Sequence, residues 1–332
     1  MLLMSRSGRL TPALAVEKLG VQFPQPTGTI FAVREASLSV QAAECVGIVG
    51  ESGSGKTQIF MAAMGLLAAA ARTDGSVRFE GREILGSPPA ELNRIRGSKL
   101  TMVFQDPMTS LTPHLRIGTQ LAEVLVSHSQ MSWHDAERAA LRILERVRVP
   151  EPRRRLRQYP HELSGGMRQR VMIGMSLLCE PSLLIADEPT TALDMTVQAH
   201  IIDLFRAMRE ESRMAIVLIS HDLGVVAGLA DRIIVMYGGR VVESGRARHI
   251  LQRAEHPYTA ELLKCVPDLK GPRLDRMPSL AGQAPSPSSI ERGCAFAPRC
   301  PRADARCRVE RPLLREFPAA AHQVACHFPL SS

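Results

Sequence analysis

The chain has 332 residues, room for one large domain with an appendage or for two modest domains. Apolar residues make up 45% and charged residues 22%, a globular balance that excludes a fibrous or wholly disordered chain. Aromatic residues are 4%, with one Trp and three Tyr, too few rings for a surface that stacks single-stranded bases. The net charge of +8 comes from Arg scattered along the chain, with one cluster at residues 146–157. It reads as a solvated helix face or a surface near anionic lipid headgroups, not as a nucleic-acid interface. The longest apolar run, residues 59–71, is thirteen residues and falls short of the roughly 20 that span a bilayer. The N-terminus has no apolar stretch followed by a small-residue cleavage site, so the expected compartment is the cytoplasm. Seven cysteines in that reducing compartment are expected to be unpaired.

In chain order, residues 1–12 read as a flexible tail. From residue 13 to about 40, alternating runs (Leu14-Ala15-Val16-Glu17-Lys18-Leu19 and Ala36-Ser37-Leu38-Ser39-Val40) predict strands around a Pro/Gly turn at residues 24–28. Glu44-Cys45-Val46-Gly47-Ile48-Val49 is a buried-strand pattern leading into a glycine-rich loop and a helix. Residues 117–149 and 164–179 carry helical apolar spacing. Ser182-Leu183-Leu184-Ile185-Ala186, Ala215-Ile216-Val217-Leu218-Ile219 and Arg232-Ile233-Ile234-Val235-Met236 are short apolar runs, the pattern of strands buried on both faces in a parallel α/β sheet. Residues 270–289 shift to proline and serine, which predicts a linker or extended arm.

Gly50-Glu51-Ser52-Gly53-Ser54-Gly55-Lys56-Thr57 matches G-x-x-x-x-G-K-[ST] between a strand and a helix. Its glycines let successive N–H groups turn inward as an anion nest, and the helix N-terminus adds partial positive charge. Lys56 can reach the β- and γ-phosphates of a nucleotide, and the Thr57 hydroxyl can ligate Mg²⁺. After the apolar run at 183–186 come Asp187 and Glu188, at the C-terminal end of a buried strand, where ligands bind in parallel sheets. Asp187 is expected to hold Mg²⁺, directly or through water, and Glu188 to take a proton from the attacking water.

Between these motifs, Leu163-Ser164-Gly165-Gly166-Met167-Arg168-Gln169-Arg170 resembles the signature sequence of the ATP-binding cassette (ABC) ATPases. The remaining motifs of that family fall in order. Gln105 in Val103-Phe104-Gln105-Asp106-Pro107 resembles the Q-loop, Thr191-Ala192-Leu193-Asp194 the D-loop, and His221 the switch histidine. Phe23 is placed like the aromatic that stacks on adenine, with Phe31 as a weaker candidate. The resemblance covers residues 13–264. It implies a P-loop NTPase cassette of α/β class: a RecA-like parallel-sheet core with an antiparallel β subdomain and a helical subdomain at about 106–165, the whole over residues 13–268. It further implies that Leu163, Ser164, Gly165, Gly166 and Gln169 engage a nucleotide held by a partner cassette. One P-loop and one signature per chain cannot complete a site alone, so a second ABC ATPase subunit, identical or homologous, is required. His221 would then contact the γ-phosphate, and Gln105 would sense Mg²⁺ and the water.

Residues 101–125, 250–267 and 293–301 also resemble the dipeptide/oligopeptide (and nickel) importer ATPases. Thr112, where that group usually has Asn, and Thr57, where Ser is commoner, are departures. The resemblance implies two transmembrane permease subunits, an extracytoplasmic solute-binding protein acting indirectly, and a peripheral position on the cytoplasmic face of the membrane. Residues 269–332 form a Cys-rich extension in which Cys294, Cys300, Cys307 and Cys326 are a four-thiol set. Four thiolates suit a [4Fe–4S] cluster or Zn²⁺, although the spacing is neither that of a zinc ribbon nor that of a ferredoxin. In the importer group such a motif is associated with an iron–sulfur cluster; zinc and metal-free thiols remain alternatives. Arg299, Arg302, Arg306 and Arg308 are expected to offset the charge there, and Cys45, Cys179 and Cys265 to be small buried residues. The function these features imply is ATP hydrolysis powering uptake of di- or oligopeptides. The alternatives are import of nickel or another small solute, a soluble ABC ATPase of DNA repair or translation, or a metal-binding regulatory module. No coiled-coil insert or second cassette supports the soluble class, and the regulatory one would need a degenerate P-loop or a missing Glu188.

Overall fold

A computed structural model describes residues 11–26, 28–106, 110–190, 195–265, 280, 282–283, 285, 292–317 and 322–331. The first ten residues of the expected tail, the D-loop residue Asp194 and most of the expected linker lie outside the described residues. The described chain divides into two compact units.

The first unit holds the described residues up to Val40, those of 45–85, and those from 219 onward. Strands β1 (Leu14–Gln25) and β2 (Gly28–Val40) form an antiparallel hairpin whose registered pairs run from Leu14↔Val40 to Gln25↔Gly28. Period-2 alternation drives this pairing: Leu14, Val16, Val21, Val33, Leu38 and Val40 are all buried. With β4 (Arg72–Phe79) and β5 (Arg82–Glu83) the hairpin makes a sheet of order β2-β1-β4-β5. A second set of strands lies in the order β11-β12-β10-β9-β3. Its members are β3 (Cys45–Val49), β9 (Arg232–Tyr237), β10 (Arg240–Arg246), β11 (Arg315–Phe317) and β12 (His322–Val324). β3 and β9 are parallel, and β10 joins β9 antiparallel. β12 then pairs with β10, Glu243 opposite Val324, so the C-terminal extension supplies strands to this sheet.

The second unit holds residues 41–44 and the described residues of 86–218. Here β6 (Leu100–Val103), β7 (Leu183–Asp187) and most of β8 (Ala215–Ser220) are almost wholly apolar and fully buried. β6 and β7 pair in parallel, Leu100 opposite Leu183, as two-faced burial requires. The helical stretch expected at 117–149 is two helices, Ile117–Ser129 and Trp133–Arg146. The break is local chemistry. Gln130 closes the first helix in the left-handed region at φ 52°, and the Ser132 side chain caps the second by accepting from the Asp135 N–H. Ala122, Leu125 and Ala136 pack the helices together, with Leu178 and the half-buried Cys179 against them. The arginine cluster is partly neutralised: Arg146 reaches Glu211 at 2.6 Å, and Arg154 and Arg155 reach Glu151 at 3.1 and 3.2 Å.

Candidate nucleotide site

In the first unit the fully buried strand β3 delivers the chain into residues 50–57, and the helix Lys56–Ala63 starts at once. Gly50 and Gly55 carry φ of 153° and 93°, a region that penalises any Cβ. A Cβ on either would lie 2.2 Å from a carbonyl oxygen, that of Met236 or of Ala32. The glycines are therefore fixed by close backbone approach as well as by conformation. Lys56 is buried, and its Nζ donates to the Gly50 carbonyl at 2.7 Å, the Glu51 carbonyl at 2.9 Å and Ser54 Oγ at 3.3 Å. Its ammonium is thus held among the oxygens of its own loop, while Ser52 and Gly53 face solvent.

Phe23 is half-buried and sits opposite Ile30, whereas Phe31 sits opposite Gln22. Cross-strand partners share a face and neighbours along a strand do not, so the two rings lie on opposite faces of the hairpin. The face of Phe31 carries the Arg34 guanidinium 4.6 Å from its centroid. Phe23 has no such cover among the described contacts. His221, also of this unit, is exposed at the end of β8, and Asp222 behind it caps the helix Leu223–Ala227 by accepting from the Gly224 N–H.

In the second unit Asp187 ends the buried strand β7 and is 4% exposed. Glu188 follows with φ 46°, a left-handed conformation that turns its side chain out of the strand and costs about 1–3 kcal/mol. Gln105 Nε2 donates to Glu188 Oε2 at 2.8 Å, joining two residues 83 apart in sequence. The segment after Gln105 is fastened by a buried Gln120, whose side chain bonds the N–H and C=O of Thr112 and the C=O of Leu115. Thr112 is therefore held through its backbone, which accounts for a residue other than Asn there. The signature residues open the helix Gly165–Leu177. Ser164 caps it by accepting from the Met167 N–H, and Ser164 and Gly165 are exposed. Gln169 is buried, with its Nε2 unsatisfied.

Thr57 in the first unit and Asp187 in the second each offer an oxygen donor of the kind that suits a hard divalent cation such as Mg²⁺. The cysteine tail fits less well. All four thiols line one small pocket, with Phe296 and His256 among the other lining residues. Burial first, and the neighbouring thiols after it, raise the pKa of Cys294, Cys300 and Cys326, the last to about 11. Among the described residues, however, no group of three or more His, Cys, Asp or Glu is arranged to hold a metal ion. The expectation of an iron–sulfur cluster thus finds no support in the geometry, and all seven cysteines are free. The expected arginine shield holds only in part: the Arg302 charge favours the Cys300 thiolate, whereas Arg299 is drawn to Glu51 and Arg306 to Glu310. Of the other cysteines only Cys45 is fully buried, Cys179 and Cys265 being half-buried.

Sequence reasoning missed Arg299, Tyr237 and Tyr258 as neighbours of the phosphate loop. Arg299 Nη1 and Nη2 donate to the two Glu51 oxygens at 2.8 and 2.9 Å, and Tyr258 Oη accepts from the Glu51 N–H at 2.9 Å. No local pattern marks contacts across more than 200 residues; the one sequence signal is an acid at the second position of a loop built for anions.

A glycine-rich loop opening a helix, an Asp-Glu pair ending a buried strand and a serine-capped Gly-Gly helix together define an ATP-binding cassette. The ABC transporter family profile matches residues 33–191, and that of the oligopeptide/dipeptide transporter C-terminal region matches residues 242–307. The chain is 49% identical to the oligopeptide transport ATP-binding protein OppD of Escherichia coli (strain K12), over 96% of this chain and 93% of that protein. It is 44% identical to the dipeptide transport ATP-binding protein DppD of the same organism, over 96% and 97%. Among solved structures, the ATP-binding cassette MJ0796, a dimer in a post-hydrolysis state bound to ADP and Pi, superposes with a TM-score of 0.64 at 27% identity, covering 71% of this chain and 99% of that one. The chain belongs to the ABC transporter family, in the group of these oligopeptide and dipeptide transport ATP-binding proteins.

Proposed function

We propose that this chain is the ATP-hydrolysing subunit of a membrane ABC importer of di- or oligopeptides, bound peripherally at the cytoplasmic face. The Gln105–Glu188 hydrogen bond is the observation that supports the reading, because a carboxylate beside a residue able to orient water suits a general base. Residues 13–268 form the cassette, with its helical part at about 106–165, and residues 269–332 the extension. Phe23 stacks on adenine, residues 50–57 hold the phosphates, and Lys56 leaves its carbonyl partners for the β- and γ-oxygens. Thr57, Asp187 and Gln105 are the residues that would hold Mg²⁺, which would neutralise phosphate charge. Water attacks the γ-phosphorus, the bond to the β–γ bridging oxygen breaks, and Glu188 takes the water's proton as ADP leaves. His221 contacts the γ-phosphate. Ser164, Gly165, Gly166 and the helix behind them meet the nucleotide of a second cassette, with Leu163 and Gln169 at the same junction.

Glu188→Gln protein, extracted with MgATP from its native membranes in mild detergent, is expected to bring two polytopic proteins and a second cassette with it. A soluble bait carrying nucleic acid or ribosomes instead would overturn the reading. The four-thiol pocket is assigned, on donor chemistry alone, to a soft metal group, an iron–sulfur cluster before zinc. Iron, labile sulfide and zinc would be assayed in anaerobically purified wild type and Cys300→Ser; wild type without any of them rejects the assignment.

A further inference from the structure

Glu51 is an anomaly of charge. It is the second residue of a loop whose chemistry is to attract a polyanion, and an unneutralised carboxylate there opposes that chemistry. The structure gives it three anchors. Its carbonyl holds the Lys56 ammonium. Its N–H donates to Tyr258 Oη. Its carboxylate is gripped by both terminal nitrogens of Arg299 in a fork-to-fork pair. Arg299 lies in the C-terminal extension, 248 residues away. Its side chain is 6% exposed against 23% for that of Glu51, so the pair is largely shielded from solvent.

The guanidinium is itself fixed. Arg299 Nη1 also donates to Tyr237 Oη at 3.1 Å, and its carbon lies 5.8 and 5.9 Å from the ring centroids of Tyr237 and Phe296. Tyr237, Tyr258 and Phe296 form a buried triangle with centroids 4.5, 5.3 and 5.4 Å apart. Burial raises the pKa of Tyr258, keeping it a neutral phenol, and its oxygen can accept the Glu51 N–H. These contacts all lie within the first unit.

We propose that Arg299 and Tyr258 are positioning residues of the nucleotide site: Arg299 neutralises and Tyr258 orients Glu51, so that the C-terminal extension sets the affinity of the phosphate loop for a nucleoside triphosphate. The inference rests on the reading of residues 50–57 as that phosphate site. Loss of Arg299 frees the carboxylate to repel phosphate, loss of the Tyr258 hydroxyl loosens the loop without adding charge, and loss of the carboxylate makes Arg299 dispensable.

The experiment is calorimetric titration of MgATP into the full chain and its variants, with ATPase kinetics in the assembled complex. Arg299→Ala is expected to raise the Kd for MgATP about tenfold, the loss of one charge-assisted pair. KM should rise in step, with kcat within about twofold, since the reacting groups are untouched. Arg299→Lys should recover part of the affinity, because it restores charge without the fork. With Glu51→Gln as the reference, whatever its own Kd, adding Arg299→Ala should cost less than about twofold. An unchanged Kd in folded Arg299→Ala, or a loss on adding Arg299→Ala to Glu51→Gln as large as its loss in wild type, overturns the proposal. Should Arg299→Ala not fold, the comparison of Arg299→Lys with Glu51→Gln/Arg299→Lys and the threefold or so weakening expected of Tyr258→Phe decide by the same criteria. Lys56→Ala separates the two levels: wild type that binds MgATP no better than Lys56→Ala removes the nucleotide reading itself.

Discussion

Gly47 lies in the middle of β3, and a Cβ built on it would stand 2.1 Å from Val226 Cγ1 and 3.2 Å from the Ala230 Cβ. Its φ is unremarkable, so the constraint is space: a helix packs on the strand that feeds the phosphate loop at a distance only glycine permits. Gly47→Ala is expected to destabilise the protein by about 1–3 kcal/mol through overpacking, read as a fall in Tm. Val226→Ala in the same chain should return most of it; a Gly47→Ala protein as stable as wild type would show that the strand and helix can separate at no cost. Glu188 illustrates the opposite use of conformation. A non-glycine residue is held at φ 46°, and the strain is tolerated where the side chain must leave a buried strand to meet Gln105.

Strands β10 and β12 show how the extension is joined to the first unit. Glu243 of β10 is fully buried, accepts from the backbone N–H groups of Glu255 and His256 at 2.7 and 3.1 Å, and shares a 2.8 Å hydrogen bond with His322 Nε2. Such a carboxylate is stable only because its lone pairs are taken. A second tie is electrostatic: Glu35 of β2 meets Arg311 of the extension at 2.6 Å and Arg240 of β10 at 3.2 Å. The hydrogen bond from Arg311, then that from Arg240, lowers the Glu35 pKa below 4.5. A carboxyl whose folded pKa is depressed stabilises the fold above its unfolded pKa, and this contribution is lost as pH falls through the folded value. Wild type should therefore exceed Glu35→Gln in Tm at pH 7 by about 1 °C, the scale of a screened surface pair. The gap should close as pH falls through the depressed range of the Glu35 carboxyl and shrink in high salt. A gap independent of pH would show that the carboxylate is not what ties β2 to the extension.

Across the whole molecule, the extension is part of the first unit's core. Phe296 is 1% exposed and packs on Tyr237, Tyr258 and His256. Burial pushes the His256 imidazole down to about 4, so its neutral Nδ1 accepts the Tyr258 N–H. Phe296→Ala is expected to cost about 3–5 kcal/mol and to weaken MgATP binding along with Tm, because the same ring supports Arg299. A variant that loses neither would show that the extension docks without this ring. Among the described residues no helix is long and apolar enough to cross a membrane.

What could be read directly from the chain was local. Alternation in β1 and β2, the all-apolar runs of β3, β7, β8 and β9, and the loop-to-helix turn at residues 50–57 depend on neighbours a few positions apart, so pattern and turn chemistry suffice. The two helices of 117–149 were written there as well, in the Ser132 cap and its Asp135 partner, but apolar spacing alone ran them together. Tertiary structure decided the rest. The Gln105–Glu188 bond spans 83 residues, the Arg299–Glu51 pair 248, and the four thiols converge on one pocket. Sequence spacing encodes none of these, because side chains distant along the chain meet only where packing of the apolar core sets their backbones. An arginine beside cysteines looks like a counter-charge for thiolates; the folded chain instead offers it a carboxylate in the phosphate loop, and a bidentate pair shielded from water outweighs a weak interaction with protonated thiols.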